Sequence, residues 1–289
     1  KQAARPMRRT SRPRSERPQG QPTRGKTARN RLRRVDNFLL IYDGELIRRQ
    51  GGAWDRAFFV DLGYGAQPIT TLESAARLRQ ANPRLPVLGV EIDPERVAVA
   101  GPYADTLTQF RLGGFNLPLR EDEAARAIRA FNVLRQYDAD QVGSAWQSMG
   151  RGLRPGGLLI EGTSDPFGRS WTANLLRRVG DRLVHEGLLF STNFHGGFEP
   201  EMFQSILPKN YIHRMLPGEP IADFMQAWQR AARERIAYRD WGLRQWFTAS
   251  AEALSASGFR LDLRGRLLQR GYLLWQGSPD VAPLPLFPA

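Results

Sequence analysis

The stretch Val60-Asp61-Leu62-Gly63-Tyr64-Gly65-Ala66-Gln67-Pro68 decides how this chain is read. Ala57 to Leu62 is a short apolar run ended by glycine, the pattern of a strand covered on both faces of a parallel sheet. Gly63 and Gly65 permit the close approach and positive φ of a tight turn, and Pro68 suits the start of a helix. A strand, a glycine turn and a helix in that order form a binding unit. The turn brings backbone close to a ligand, and the helix start presents free N–H groups.

Working outward, the same rhythm repeats. Pro86 to Ile92 reads as a second strand, and Asp93-Pro94-Glu95 opens a helix with an N-cap and proline in the first turn. Leu107 to Leu112 reads as a third strand and Ala127 to Val133 as a fourth. Val142, Ala145, Trp146, Met149 and Leu153 mark a helix stopped by Arg154-Pro155-Gly156-Gly157, and Leu158 to Ile160 follow as a fifth strand. Upstream, Leu32, Val35, Phe38, Leu39 and Tyr42 recur at helical spacing. Strands alternating with helices mean crossover connections and an α/β, doubly wound, mostly parallel sheet.

After residue 165 the pattern changes. The sequence predicts a helix near 170–180, a strand at Leu188 to Phe194, a long amphipathic helix through Ile221, Phe224, Met225, Trp228 and Ala232, and a further helix ending at Gly258. Two strands, Arg260 to Leu268 and Tyr272 to Gln276, are expected to close the fold, ahead of a loose proline-rich end. This gives a seven-stranded sheet with a helical insertion after the fifth strand. The expected organisation is a tail over 1–34, a domain over 35–281 with its core at 57–165, an added cap region at about 170–246, and closing strands at 259–277.

The chain has 289 residues and a net charge of +13, but the charge is concentrated. Residues 1–34 carry +12, with four prolines and almost no large apolar side chain, so the tail is expected to be disordered for most of its length. The remainder carries only +1. A nucleic-acid partner is therefore expected to act through the tail rather than through a broad basic face. There is no cysteine, which excludes disulfides, thiolate metal sites and a catalytic thiol, and the three histidines are not spaced like metal ligands. No apolar run approaches the roughly 18 residues of a membrane span, so the expected compartment is the cytoplasm and no metal or membrane is expected.

A dinucleotide site would call for glycine at position 68, where this chain has proline. The set Asp61, Gly63, Gly65 and, thirty residues on from Asp61, the strand-end Glu91 suits a ligand with an amino acid end, a ribose and an adenine. Here the sequence resembles the class I S-adenosylmethionine-dependent methyltransferases. The resemblance rests on D-x-G-x-G at Asp61, Gly63 and Gly65, G-V-E-I-D at Gly89 to Asp93, the G-G-F-N-L-P turn after the third strand, and L-R-P-G-G-L-L-I into the fifth. It implies S-adenosyl-L-methionine as cofactor, with Asp61, Gly63 and Gly65 along its methionine and ribose portion. Glu91 would lie on the ribose hydroxyls, Ile92 beside the adenine, and Gly114 and Phe115 around the base. Two positions depart from the family pattern: Gln67 replaces the third glycine, and Phe115 stands where an acid is common.

The implied reaction is methyl transfer to an acceptor the sequence does not name, a small molecule or protein being favoured over RNA recruited by the tail. Non-catalytic cofactor binding and an NAD-dependent oxidoreductase are the other readings. Asn132 and Tyr137 are the catalytic candidates, from their place after the fourth strand, with Arg135, Glu161 and Asp165 as further candidates. His195, Tyr211, His213, Trp228 and Trp241 fall in a segment long enough to cover an acceptor pocket.

Overall fold

The structure is a computed structural model that describes residues 17–23, 28–277 and 282–287. Residues 1–16 and 24–27, on which much of the expected tail falls, lie outside the described residues.

Helices α1 (Arg33–Tyr42) and α2 (Gly44–Arg48) precede β1 (Ala57–Leu62). Then follow α3 (Ile69–Leu78), β2 (Val87–Glu91), α4 (Pro94–Ala100), β3 (Thr108–Leu112), β4 (Ala124–Phe131), α5 (Gln141–Arg151) and β5 (Leu153–Ser164). The second half holds β6 (Ser170–Val179), β7 (Arg182–Thr192), α6 (Lys209–Ile212), α7 (Pro220–Glu234), α8 (Leu243–Ala256), α9 (Gly265–Leu268), β8 (Tyr272–Gln276) and β9 (Leu284–Pro285).

The sheet runs β3-β2-β1-β4-β5-β6-β7-β8, with β9 paired to β7. The first five strands are parallel and the order reverses between β1 and β4. That reversal places a crevice outside the carboxyl ends of β1 and β4, where such sheets hold ligands. Alternation along β1 sends Phe59 into a core with α1 and α3, while Phe58, Val60 and Leu62 face the core that holds α5. Helices therefore cover both faces, as the doubly wound pattern requires.

The second half departs from the sequence expectation. The sheet has nine strands rather than seven: Ser170–Val179, expected as a helix, is β6 of an antiparallel β5-β6-β7 meander, and Leu284–Pro285 adds β9. The helical insertion consequently follows β7, not the fifth strand. Of the expected closing pair, only Tyr272–Gln276 is a strand. Residues 260–268 make a single bridge, Leu261 to Trp275, and then the short α9. The C-terminal end is not wholly loose either, since Leu284–Pro285 pairs with Leu183 and Arg182 of β7.

Helices α7 and α8 pack over β7 and β8 through a third core in which Phe190, Phe203, Phe224 and Trp228 contact one another. Tyr211 and Trp228 are fully buried there, as core, while His195, His213 and Trp241 are exposed.

Candidate functional site

The site is built where β1 gives way to the glycine turn. Gly63 has φ of 74° and Gly65 of 86°, a region L side chains rarely adopt, and a Cβ at Gly63 would stand 2.8 Å from Val133 Cγ2. Both glycines are required by geometry, as their sequence positions suggest.

Glu91 ends β2 and is 1% exposed. Its Oε2 accepts the Gly65 N–H at 2.9 Å and its Oε1 accepts the Ile92 N–H at 3.0 Å, while Arg96 Nη1 lies at 3.6 Å. An ionised carboxylate has about four acceptor directions. Two backbone donors leave capacity on both oxygens, so Glu91 pins the glycine turn to β2 and still faces the crevice as an acceptor.

Asp61 is committed differently from what its motif position suggests. It is 2% exposed and lies on the α1–α3 face of the sheet. Its Oδ2 accepts the hydroxyls of Thr70 (2.9 Å) and Thr71 (2.8 Å), and its Oδ1 meets Arg129 Nε at 3.1 Å and Nη2 at 2.9 Å. Arg129 also reaches Asp36 at 2.5 Å, and Asp36 pairs with Arg77 and accepts from Ser74 at 2.8 Å. Burial raises the Asp36 carboxyl, with Arg129 and Arg77 opposing. Burial would lower Arg129, but Asp61 and Asp36 outweigh it and hold the guanidinium above its ordinary value. A cluster so enclosed is tolerated because each group supplies the others' ion pairs and hydrogen bonds.

This network explains why the buried face of α3 carries Thr70, Thr71 and Ser74 beside Ala75 and Leu78. The pattern of an arginine in a buried strand opposite an aspartate at the next strand's end was the missed signal.

The turn after β3 supplies Gly113, Gly114 and Phe115. Phe115 is 7% exposed and meets the ring of Tyr137 edge-on at 5.2 Å. Together with Ile92 and Glu91 they wall a cavity of about 20 Å³, next to one of about 50 Å³ bordered by Arg31, Asp61, Gly63, Gly65 and Asn132. The structure thus brings the predicted residues Gly63, Gly65, Glu91, Ile92, Gly114 and Phe115 to one edge of the sheet.

The catalytic candidates sit differently. Asn132, at φ of 60°, accepts the Ser164 N–H at 3.0 Å and donates to Ser164 Oγ at 3.2 Å, tying the end of β4 to the end of β5. Tyr137 is buried against Phe115, and its Oη accepts the Gln21 N–H; burial raises its pKa. Asp165 accepts the N–H groups of Phe167 and Ser170 and so closes the β5–β6 turn, and Arg135 donates to the Ser205 carbonyl at 3.1 Å. Glu161 lies inside the sheet, where burial lifts its carboxyl to about 7 against the hydrogen bond from Asn174.

Sequence reasoning also missed the segment Arg17–Thr23. It crosses the mouth of the crevice, with its Gln19 carbonyl accepting the Phe115 N–H at 2.8 Å. Among the described residues there is no cluster of acids and histidines that could hold a metal ion, and no helix long and apolar enough to cross a membrane.

No protein-family model matches the chain, and no curated protein matches it. Among solved structures, it is similar to the sugar N-methyltransferase KedS8 from Streptoalloteichus sp ATCC 53650, at 18% identity over 85% of this chain and 86% of that one, with a TM-score of 0.34. It is also similar to the citrinin polyketide synthase CMeT domain (15% identity, 47% of this chain and 36% of that one, TM-score 0.38). A third is the magnesium protoporphyrin IX methyltransferase ChlM from Synechocystis PCC 6803 with bound SAH (16%, 46% and 54%, 0.32). The chain spans about a third of the length of the CMeT domain. These are loose likenesses at low identity, and the β3-β2-β1-β4-β5 order with its glycine turn and strand-end Glu91 stands on the chain's own geometry.

Proposed function

We propose that the protein is an S-adenosylmethionine-dependent methyltransferase acting on a small molecule or a protein. The observation that carries the reading is Glu91, a buried carboxylate at the end of β2, held 2.9 Å from the Gly65 amide and facing the crevice where strand order reverses. A carboxylate there suits a ribose diol, which offers two hydroxyl donors, in an adenosyl ligand and a dinucleotide alike. Proline at position 68, where the dinucleotide fingerprint has glycine, favours the former. Glu91 would hold the ribose, Ile92, Gly114 and Phe115 the base, and Gly63 and Gly65 the backbone side of the ligand. Asp61, being saturated by Arg129, Thr70 and Thr71, would support the turn from behind rather than receive an amino group directly.

The cofactor supplies an activated methyl on a sulfonium, whose carbon–sulfur bond breaks as the acceptor's bond to that carbon forms. The protein's part is alignment and exclusion of water, which supply much of such a rate. Asn132 and Ser164 fix the β4 and β5 ends that would border the reacting methyl, and we assign Asn132 to positioning. Tyr137 would wall the base. The acceptor's proton needs no dedicated base if the acceptor is itself acidic or a free amine.

A cleft of about 360 Å³ opens near the carboxyl end of β7, lined by Arg34, Arg244, Arg270 and Tyr272. None of these arginines pairs with a carboxylate among the described residues, so the cleft would favour an acceptor carrying negative charge. Calorimetric titration with S-adenosylmethionine, S-adenosylhomocysteine and NAD tests the reading. Binding of the two adenosyl ligands, weakened at least about tenfold by Glu91→Ala, the loss of a pair of charged hydrogen bonds, is expected. Binding of NAD alone would transfer the protein to the oxidoreductases.

A further inference from the structure

The segment Arg17–Thr23 lies on the residues assigned above to the nucleoside, not above a space left for it. The Phe115 N–H, the donor a purine ring nitrogen would take, is given to the Gln19 carbonyl at 2.8 Å. Gly114 is glycine because a Cβ there would overlap that carbonyl. Gly20 follows with φ of 134°, so close to the walls that a Cβ on it would stand 3.0 Å from Tyr137 Oη, 3.4 Å from Ile92 Cδ1 and 3.7 Å from Phe115 Cε2.

The flanks are fastened too. The Gln19 N–H donates to Asn116 Oδ1 at 2.8 Å, Asn116 Nδ2 to the Arg17 carbonyl at 3.1 Å, and Ser148 Oγ to Gln19 Oε1 at 2.9 Å. Beyond the base site, Gln136 Nε2 donates to the Gln21 carbonyl at 3.1 Å, and Arg96 Nη2, from the helix behind Glu91, to the Thr23 carbonyl at 2.9 Å. What remains beneath is about 20 Å³ and, beside it, about 50 Å³. Ordinary small-molecule pockets run to about 300–1,000 Å³.

We propose that Arg17–Thr23 is an intramolecular occupant of the nucleoside subsite, a strap that an adenosyl ligand must displace, so that the N-terminal segment sets the protein's affinity for its cofactor. The proposal rests on the adenosyl reading of the crevice. A lid that closes over its ligand leaves ligand-sized room below it and touches the ligand. This segment instead takes the wall's own donors. Its hydrogen bonds are each of small net worth and are opposed by the entropy of ordering seven residues, so the seated and lifted states lie close in free energy. The segment is therefore suited to a switch. Apparent affinity falls in proportion to the fraction of molecules whose site is open.

The test compares S-adenosylhomocysteine binding by calorimetry in three proteins: the full chain, the chain lacking residues 1–23, and the full chain with Gly20→Val. Among the described residues, none before Leu32 belongs to the three hydrophobic cores, so the shortened chain keeps the described apolar packing of those cores. Valine at φ of 134° is strained and meets Tyr137, which unseats the strap without shortening the chain. Both variants are expected to bind about tenfold tighter than the full chain, the gain for a strap seated about nine-tenths of the time. Glu91→Ala should weaken binding in all three proteins and leave the tenfold gain in place, because the open fraction does not depend on the ligand's own contacts. Equal affinity in all three, with Glu91 still required, overturns the strap and leaves the cofactor reading standing. Weaker binding by both variants also overturns it and makes the segment a lid that holds the ligand. Binding by none of three folded proteins defeats the adenosyl reading itself, and the strap with it.

Discussion

Glu161 and His185 show how a side chain in this fold acquires a property its sequence neighbours do not announce. Both are buried on strands that flank β6, Glu161 on β5 and His185 on β7, and they meet through one amide of β6: Asn174 Nδ2 donates to Glu161 Oε2 at 3.0 Å, and its Oδ1 faces His185 Nε2 at 3.1 Å. An amide oxygen only accepts, so His185 carries its proton on Nε2. Burial lifts Glu161 from 4.5 to about 7 and drops His185 from 6.5 to about 4. A carboxyl raised in the folded state binds its proton more tightly there. Its contribution to stability is present below pH 4.5 and is lost as pH rises through about 7, a loss on the order of 3 kcal/mol. A histidine lowered in the folded state works the other way: its stability is present above pH 6.5 and lost as pH falls towards 4. Between about pH 4.5 and 6.5 the two slopes oppose. Glu161→Gln removes one of them. Compared with the unchanged chain in urea titrations, the variant is expected to gain stability steadily from pH 5 to pH 8. A difference that does not change with pH would show that Glu161 is ionised throughout.

At the scale of elements, the β6–β7 hairpin tests how its turn is made. Val179 pairs with Arg182, leaving Gly180-Asp181 as a two-residue connection, with Gly180 at φ of 56° and nothing within 4 Å of where its Cβ would be. Space is therefore free and conformation is the only constraint. Asparagine tolerates positive φ and a β-branched residue does not. Gly180→Val is expected to cost about 1–2 kcal/mol and Gly180→Asn close to nothing, read as shifts in the urea midpoint. Equal losses would mean that the turn is not held in this conformation.

The same hairpin marks where the sequence was misread. V-G-D-R between two apolar runs is a hairpin signal, but Leu175-Leu176 beside Arg177-Arg178 also satisfies a helical period, so periodicity alone does not separate strand from helix over Ser170–Val179. The parallel half was legible because a strand buried on both faces and ended by glycine has few other readings, and Gly63, Gly65 and Glu91 follow from that rule. The role of Asp61 was not legible. Its partners Arg129, Thr70 and Thr71 lie on β4 and α3, and only the β1–β4 pairing and the turn of α3 bring them to it. The strap was hidden for a related reason, since a polar, proline-bearing segment shows no periodicity and is ordered only by the groove that receives it.

Taken whole, the chain is one sheet with three apolar layers, and the layers share strands. Leu189 and Leu274 point into the α1–α3 core, while Leu188, Phe190, Leu273 and Trp275 of the same two strands point into the α7–α8 layer. Neither layer can lose its strands without exposing the other. The coupling predicts that the helical layer does not melt by itself, although it is separate in sequence from the glycine turn. Phe203 is the place to perturb it: fully buried, stacked on Trp228 at 5.4 Å between ring centres and edge-on to Phe190 at 5.5 Å. Phe203→Ala removes a large buried ring and is expected to cost about 3–5 kcal/mol. With the layers coupled, near-ultraviolet and far-ultraviolet circular dichroism of the variant should fall together in one transition, shifted to lower urea. A first transition in the aromatic signal alone, with the helix and strand signal retained, would show that the α7–α8 layer unfolds as its own unit. The sharing of β7 and β8 between two cores would then be too weak to bind them.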